Sequence, residues 1–179
     1  MDLSSNNLEV IEPTNFINNP SLEIHSLSSN QYLTLPEEGH FLVSQSLRVL
    51  QLSACYLSHI PSKAFEKLPN LQELCIAYNK IGILYKVQAV VNVTILGICH
   101  NCLKDAFSDI FSELPELIHL NLSHNILSTL NVTVMTQLVK LSSSADLNGN
   151  PWVCDCLMFS TVYSWFRDNS VELELVCSM

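Results

Sequence analysis

Two segments with the same pattern, LQELCIAYNKI at Leu71–Ile81 and LIHLNLSHNIL at Leu117–Leu127, decide how this chain folds. Both follow the frame L-x-x-L-x-L-x-x-N-x-L, with apolar side chains at its fixed positions and an asparagine near its end. LRVLQLSACYL at Leu47–Leu57 and VTILGICHNCL at Val93–Leu103 keep the apolar positions, although Cys55 replaces the asparagine in the first of these. Because one such unit cannot bury its apolar face alone, recurrence of the frame predicts a solenoid of stacked units.

The asparagine position recurs along the chain at nearly even intervals. It is filled in turn by Asn6, Asn30, Cys55, Asn79, Asn101, Asn125 and Asn150, spaced by 24, 25, 24, 22, 24 and 25 residues. This spacing predicts about seven repeats over residues 1–149, the first incomplete, and a different segment over residues 150–179. The second repeat is weaker because His25 fills an apolar position, and the seventh is degenerate at Ser142 and Ala145.

The variable half of the repeat has its own apolar positions. Ten residues beyond the asparagine position stand Phe16, Phe65, Ala89, Phe111 and Met135. Together with the frame, they resemble the extracellular leucine-rich repeat family over essentially the whole chain. The resemblance implies an α/β solenoid: a right-handed leucine-rich repeat superhelix with short parallel strands, formed by the L-x-L segments, on its concave side. With only four glycines, we expect stacking and side chains to support the bends, rather than repeated turns with positive φ.

Stacked asparagines at the turn after each strand are expected to satisfy backbone groups of the loops, since an amide both donates and accepts. Cysteine is only a weak donor, so Cys55 should be a weak point of this ladder.

The last thirty residues, beginning NPWVCDC at Asn150–Cys156, resemble the cysteine-rich C-terminal cap of Toll-like and Slit-like ectodomains. Apolar residues at helical spacing predict a short helix over Leu157–Arg167 that covers the last repeat. The family pairing implies a Cys154–Cys177 disulfide and a partner for Cys156 that this chain lacks. A metal site is the alternative for the three cysteines. We therefore expect a truncated cap and a fragment of a longer ectodomain.

Several features bear on the compartment. The most apolar run, Ala89–Cys99, is too short to span a bilayer, and the first residues do not form a signal peptide. Membrane attachment is expected only through segments absent from this chain. Sequons at Asn92, Asn121 and Asn131 predict N-glycosylation in the secretory pathway, with unmodified sequons as the alternative. A glycan on Asn121 would point from the concave face and obstruct the sixth repeat.

Repeat proteins commonly bind partners on the concave face, where side chains are presented in register. The residues expected to contact a ligand are Gln51, Glu73, Tyr78, His100, His119 and His124. The predicted concave surface is nearly uncharged, which suits a protein or a glycan. Eight Lys and Arg against seventeen Asp and Glu, a net charge of −9, argue against nucleic acid.

Reactive side chains gather in the fourth to sixth repeats. Cys75, Cys99 and Cys102 lie near several histidines, and a metal site or a disulfide among them is the alternative to ordinary repeat residues. We predict no metal site, no cofactor and no catalytic residue, because no known catalytic motif or phosphate-binding glycine loop is present. His100 and His124 fill equivalent positions in adjacent repeats, so they should be neighbours and should make binding sensitive to pH.

The sequence thus predicts a non-enzymatic, extracellular protein-recognition module, part of a cell-surface receptor or adhesion protein, with a protein ligand and a homodimer as expected partners. A secreted matrix or immune leucine-rich repeat protein and a cytosolic scaffold are the alternatives. The segment that follows the cap separates receptor from secreted protein, and the oxidation state of Cys154 and Cys177 tests the scaffold.

Overall fold

The chain forms a solenoid around one parallel sheet. The structure, a computed structural model, describes residues 1–84, 90–104, 114–130 and 145–153, together with Val134, Leu138 and Leu141. Within these residues six strands pair in sequence order, β1 to β6, each parallel to the next. Their bounds are β1 Ile24–Ser26, β2 Val49–Gln51, β3 Glu73–Cys75, β4 Ile95–Gly97, β5 His119–Asn121 and β6 Ala145–Asp146. A bridge between Asp2 and Ser26 extends the same ladder into the first repeat.

The register of the strands follows the sequence frame. Its fourth position is the middle residue of β1 to β5, so Leu50, Leu74, Leu96 and Leu120 pair along the sheet and are buried. The flanking residues of each strand point to the other face, as alternation along a strand requires. The strands lie one residue earlier than the predicted L-x-L segments, because ladder pairing begins at the residue before the first leucine.

Every repeat turns after its strand through a residue with positive φ. The residues just before the asparagine positions are Ser5, Ser29, Ala54, Tyr78, His100, His124 and Gly149, with φ between 53° and 68°. The expectation that the bends avoid positive φ was therefore wrong, since six of these seven residues are not glycine. A left-handed residue that carries a Cβ costs roughly 1–2 kcal/mol, so neighbouring interactions must hold these turns in place.

The asparagine ladder supplies such interactions, as the sequence predicted. The Nδ2 of Asn79 donates to the carbonyls of Ile76 in its own repeat and Leu52 in the preceding one, each at 2.9 Å. Its Oδ1 accepts the backbone N–H of Leu57 at 3.0 Å. Asn30, Asn101, Asn125 and Asn150 repeat this arrangement. In each of these five repeats, one buried amide thus satisfies backbone groups of two repeats.

Cys55 fills its rung of the ladder only in part. Its Sγ lies 3.3 Å from the carbonyl oxygen of Leu27, the atom an asparagine would reach at that rung. The thiol offers no amide oxygen that could accept a backbone N–H of the preceding loop, as the Oδ1 of Asn79 accepts that of Leu57. The Cys55 thiol can therefore still donate to the Leu27 carbonyl, but the rung has no strong acceptor. Whether the ladder is weaker at this rung stays a prediction.

The core runs along the solenoid between the sheet and the variable half of the repeats. Phe65 is fully buried in this core, and Phe16 is partly buried against it. The other three residues of this set, Ala89, Phe111 and Met135, lie outside the described residues. Phe41, which the spacing of the repeat did not predict as a core residue, is also fully buried. It stands eleven rather than ten residues after Asn30, a shift that the longer spacing of the second repeat could have signalled.

His25 enters the core at the apolar position that the sequence marked as weak. It is the middle residue of β1, pairs with Leu50 and has no exposed surface. Its ring meets the Phe16 ring edge-on at 4.6 Å, and its Nε2 has no hydrogen-bond partner. Within the part of the chain that the structure describes, no helix is long and apolar enough to cross a membrane.

Candidate functional site

The strand flanks form the floor of the concave surface. Each strand contributes its first and last residue, so Glu73, Ile95 and His119 stand side by side in one row and Gln51, Cys75 and Gly97 in the next. All three predicted ligand-contacting residues of this floor are at least partly exposed: Gln51, Glu73 and His119. Ala77 and Ser123, two residues beyond β3 and β5, are buried because the chain already turns away there.

The other three predicted ligand-contacting residues form a stack of rings at the edge of this surface. The Tyr78 and His100 ring centroids are 4.2 Å apart with planes 9° from parallel, and those of His100 and His124 are 4.3 Å apart at 8°. We call these three residues the rim stack. Equivalent positions in the repeat place them one above another, so the predicted contact between His100 and His124 is confirmed. The sequence did not reveal that Tyr78 continues the stack.

Glycine closes the lower end of the rim stack. A Cβ added to Gly149 would lie 2.5 Å from Nδ1 of His124, so that ring lies against the glycine backbone. A glycine at this position therefore lets the imidazole approach the next repeat. Beside the upper end, the Lys80 ammonium lies 4.4 Å from the centroid of the Tyr56 ring, a cation–π contact.

The thiols of the described repeats are not joined. Cys55, Cys75, Cys99 and Cys102 are all free. The Sγ of Cys75 contacts the Oγ of Ser53 at 3.2 Å and leans over Gly97, where an added Cβ would lie 3.4 Å from it. Burial, helped by Cys75 and Asp146 nearby, raises the pKa of the Cys99 thiol above its ordinary value. Burial also raises the pKa of Cys55, so neither thiol is set up as a nucleophile.

The histidines and cysteines do not converge on one point. No group of three or more His, Cys, Asp or Glu among the described residues is arranged to hold a metal ion. His119 is the first residue of β5, on the concave floor, whereas Cys102 follows Asn101, beyond the turn that comes after β4. In the rim stack, the lone pairs of His100 and His124 lie in two nearly parallel ring planes. One ion cannot lie in both planes, so the stack does not favour a shared metal.

The two described sequons differ in their surroundings. Asn92 is exposed in a turn, and its Nδ2 donates to the carbonyl of Pro69 at 2.7 Å. Asn121 ends β5 on the concave floor, and its Oδ1 accepts from both the N–H of Ser123 at 3.0 Å and its hydroxyl at 2.7 Å. The Nδ2 of Asn121 takes no part in these bonds. A glycan on the Nδ2 of Asn121 would therefore leave these bonds intact, whereas the Nδ2 of Asn92 would have to carry a glycan beside its bond to Pro69.

The remaining predicted sites lie outside the described residues. These are the third sequon, the cap cysteines and the cap helix: Asn131, Cys154, Cys156, Cys177 and Leu157–Arg167. Asn150, where the cap was expected to begin, is bound into the ladder and accepts the N–H groups of Asn125 and Leu127. Trp152 follows it into the core, fully buried, and its Nε1 donates to the carbonyl of Leu147 at 3.3 Å.

Known proteins share this pattern over most of the chain. Mouse osteomodulin is 38% identical over 79% of the chain, which covers 34% of that protein. Mouse Toll-like receptor 9 is 36% identical over 87% of the chain, which covers 13% of that receptor. The chain thus spans about a third or less of the length of these relatives.

A solved structure agrees with the fold. The Toll–Spatzle complex of Drosophila matches with a TM-score of 0.66 and 26% identity, over 81% of this chain and 19% of the matched chain. The sequence profile described as leucine rich repeat matches residues 45–89 and 91–150, more than half of the sequence. With the parallel strands and the asparagine ladder in register, this protein belongs to the leucine-rich repeat family.

Proposed function

We propose that this chain is an extracellular protein-recognition module from the ectodomain of a cell-surface receptor or adhesion protein. One observation carries the proposal: the concave floor and the rim stack present Gln51, Glu73, Tyr78 and the histidines in register on a rigid ladder. Large aromatic side chains on a rigid, weakly charged surface are typical of protein interfaces. No step of chemistry is required of these residues.

The similar proteins support the same function. One relative is named a receptor, and the matched Toll structure is a complex with Spatzle, a second protein. A solenoid that holds its outward side chains on consecutive strands offers a broad surface rather than a pocket. The ligand of this chain is therefore proposed to be a protein that lies across several repeats.

A glycan placed on the concave floor tests where the ligand binds. Gln51→Asn creates a sequon at position 51, since Leu52 and Ser53 already follow. As a matched control, Gln72→Thr makes the exposed Asn70 an acceptor in the loop before β3, away from the floor. Both variants are expressed within the full natural chain in cells that secrete it, and mass spectrometry verifies the glycan occupancy of each.

Binding is measured against a panel of secreted proteins and receptor ectodomains. A panel member that binds the parent chain is expected to bind the Gln72→Thr variant equally well and to show no binding to the Gln51→Asn variant. A ligand that binds both glycosylated variants equally well would place recognition elsewhere and would contradict the proposal. Retention of both variants inside the cell, with the parent chain unsecreted as well, would contradict the extracellular location.

A further inference from the structure

The rim stack is covered at one end and open at the other. Gly149 lies against the outer face of His124, so nothing else fits at the lower end. The equivalent position above Tyr78 holds Ala54, whose side chain ends at its methyl group. Tyr78 keeps 59% of its surface exposed although one ring face is covered by His100. The opposite ring face of Tyr78 is the open end.

The open end has the dimensions of one more ring. Successive rings lie 4.2 and 4.3 Å apart, with planes within 9° of parallel. A planar side chain over Ala54 would continue this spacing and meet Tyr78 face to face with an offset, a favourable aromatic arrangement. Tyr56, exposed over 52% of its surface, lies two residues beyond Ala54 in the same loop. The space over Ala54 is thus an open position against the free face of the Tyr78 ring.

Charge indicates what kind of side chain fits. The residues on either side of the asparagine positions include no Asp or Glu in any repeat, although the chain carries seventeen acidic residues. They do include Lys80, His100 and His124, and the Lys80 ammonium lies next to Tyr56. A guanidinium would bring a second positive charge to loops that already carry Lys80, whereas a neutral ring would not. Carboxylates beside that ring would be attracted.

We propose that the space over Ala54, against the open face of Tyr78, is a docking slot for an aromatic side chain that is flanked by acidic residues in a protein partner. The slot rests on the proposed function in that its natural occupant belongs to a protein ligand. It places an anchor of that ligand at the rim beside the third and fourth repeats, rather than on the concave floor. Aromatic anchors in a preformed slot commonly dominate binding at interfaces.

Three short peptides probe the slot directly: Ac-Glu-Tyr-Glu-NH2, Ac-Glu-Ala-Glu-NH2 and Ac-Lys-Tyr-Lys-NH2. Each is titrated into the full chain, labelled for detection of its aromatic ring signals by NMR. We expect the first peptide to shift the Tyr78 and His100 ring signals in a saturable manner. Both other peptides should bind roughly 3- to 10-fold more weakly, the ratio that one aromatic contact or a few charge contacts provide. Equal affinity for all three peptides would overturn the slot.

Two substitutions at Ala54 separate the slot from the rest of the surface. Ala54→His fills the vacant place with a ring at a backbone conformation that His100 and His124 already adopt. Ala54→Ser keeps the place open and serves as the matched control. We expect Ala54→His to abolish the ring shifts and Ala54→Ser to preserve them. Tyr78→Leu, which removes the platform without filling the slot, should also abolish binding of the peptide.

The outcomes distinguish this inference from the proposed function. Undiminished peptide binding to Ala54→His, or shifts that map away from Tyr78, would overturn the slot while leaving the glycan experiment on the floor untouched. Conversely, peptide binding that Ala54→His removes would support the slot even where a glycan at position 51 blocks no protein. Thermal unfolding of each variant shows whether it is folded, and the two independent variants keep the test decisive.

Discussion

His25 departs from the consensus of the repeat at a buried position, and this departure should lower the stability of the fold. An imidazole takes the place of a leucine in the middle of β1, and its buried Nε2 has no partner. Burial holds the pKa of His25 below its ordinary value of 6.5, against the opposing effect of its contact with the Met1 carbonyl. A buried polar atom without a hydrogen bond costs about 1–3 kcal/mol.

Replacing His25 with leucine should therefore stabilise the protein and flatten its response to acid. The unfolded chain takes up a proton on His25 as the pH falls through its ordinary value of 6.5, whereas the folded chain does so only at lower pH. The stability that neutral His25 permits is thus present above pH 6.5 and declines below it. Urea unfolding at several pH values measures this difference. His119→Gln, on the exposed flank of β5, is the control; equal acid sensitivity of His25→Leu and the parent chain would refute the explanation.

Cys55 allows a second prediction at the same scale. Cys55→Asn should restore an amide whose Nδ2 reaches the Leu27 carbonyl, now 3.3 Å from Sγ, and whose Oδ1 offers the missing acceptor. We expect a gain of about 1 kcal/mol, or a rise of roughly 2–4 °C in Tm. Thermal unfolding under reducing conditions measures it. Cys102→Asn, at an exposed thiol outside the ladder, should leave Tm unchanged, and a lower Tm for Cys55→Asn would show that the rung cannot accept an amide.

At the level of the element, the repeated unit is a three-residue strand followed by a left-handed turn. The strand is set by the buried leucine, and the turn is held by the asparagine that follows it. The leucines and asparagines were sufficient to predict the order and register of the strands. The left-handed residue was not predictable, because Ser29, Tyr78 and His124 share no side-chain property that marks this conformation.

Glycine at one of these turns should make it more stable. Ser29 has φ 60°, so Ser29→Gly removes a Cβ penalty of roughly 1–2 kcal/mol, less the larger entropy that glycine gives the unfolded chain. We expect a net gain of several tenths of a kcal/mol in the free energy of unfolding. Ser21→Gly, at a turn residue without positive φ, should destabilise by a similar amount through entropy alone. Chemical unfolding of both variants tests this; a loss for Ser29→Gly would mean that the turn carries no strain.

At the level of the whole molecule, the candidate site was predictable as a set of positions but not as an arrangement. Even spacing placed His100 and His124 side by side, and periodicity placed Gln51, Glu73 and Tyr78 on the concave face. The parallel ring planes depend on side-chain rotation, which no spacing encodes. The open face of Tyr78 depends on the small size of Ala54 one repeat away, a relation visible only once the repeats are stacked.

The two described sequons divide this surface, and they lead to a last prediction. Asn121 sits on the floor at the end of β5, so a glycan there covers the sixth repeat, whereas a glycan on Asn92 leaves the floor free. The rim slot over Ala54 and the floor residue Gln51 lie three repeats away from Asn121. A ligand that uses them would lie across the second to fifth repeats, beyond the Asn121 glycan.

We therefore expect peptide mapping of the secreted chain to find glycans on both Asn92 and Asn121. Asn121→Gln and Asn92→Gln should each leave ligand affinity unchanged, because neither glycan covers Gln51 or the slot over Ala54; of the proposed contacts, only His119 and His124 share the sixth repeat with Asn121. Since Asn121 keeps its Oδ1 bonds to Ser123 with or without a glycan, the fold does not depend on the modification. Surface plasmon resonance with the ligand identified from the panel measures the affinities. A clear increase for Asn121→Gln alone would show that the natural interface extends over the sixth repeat, and that the glycan limits binding rather than bordering it.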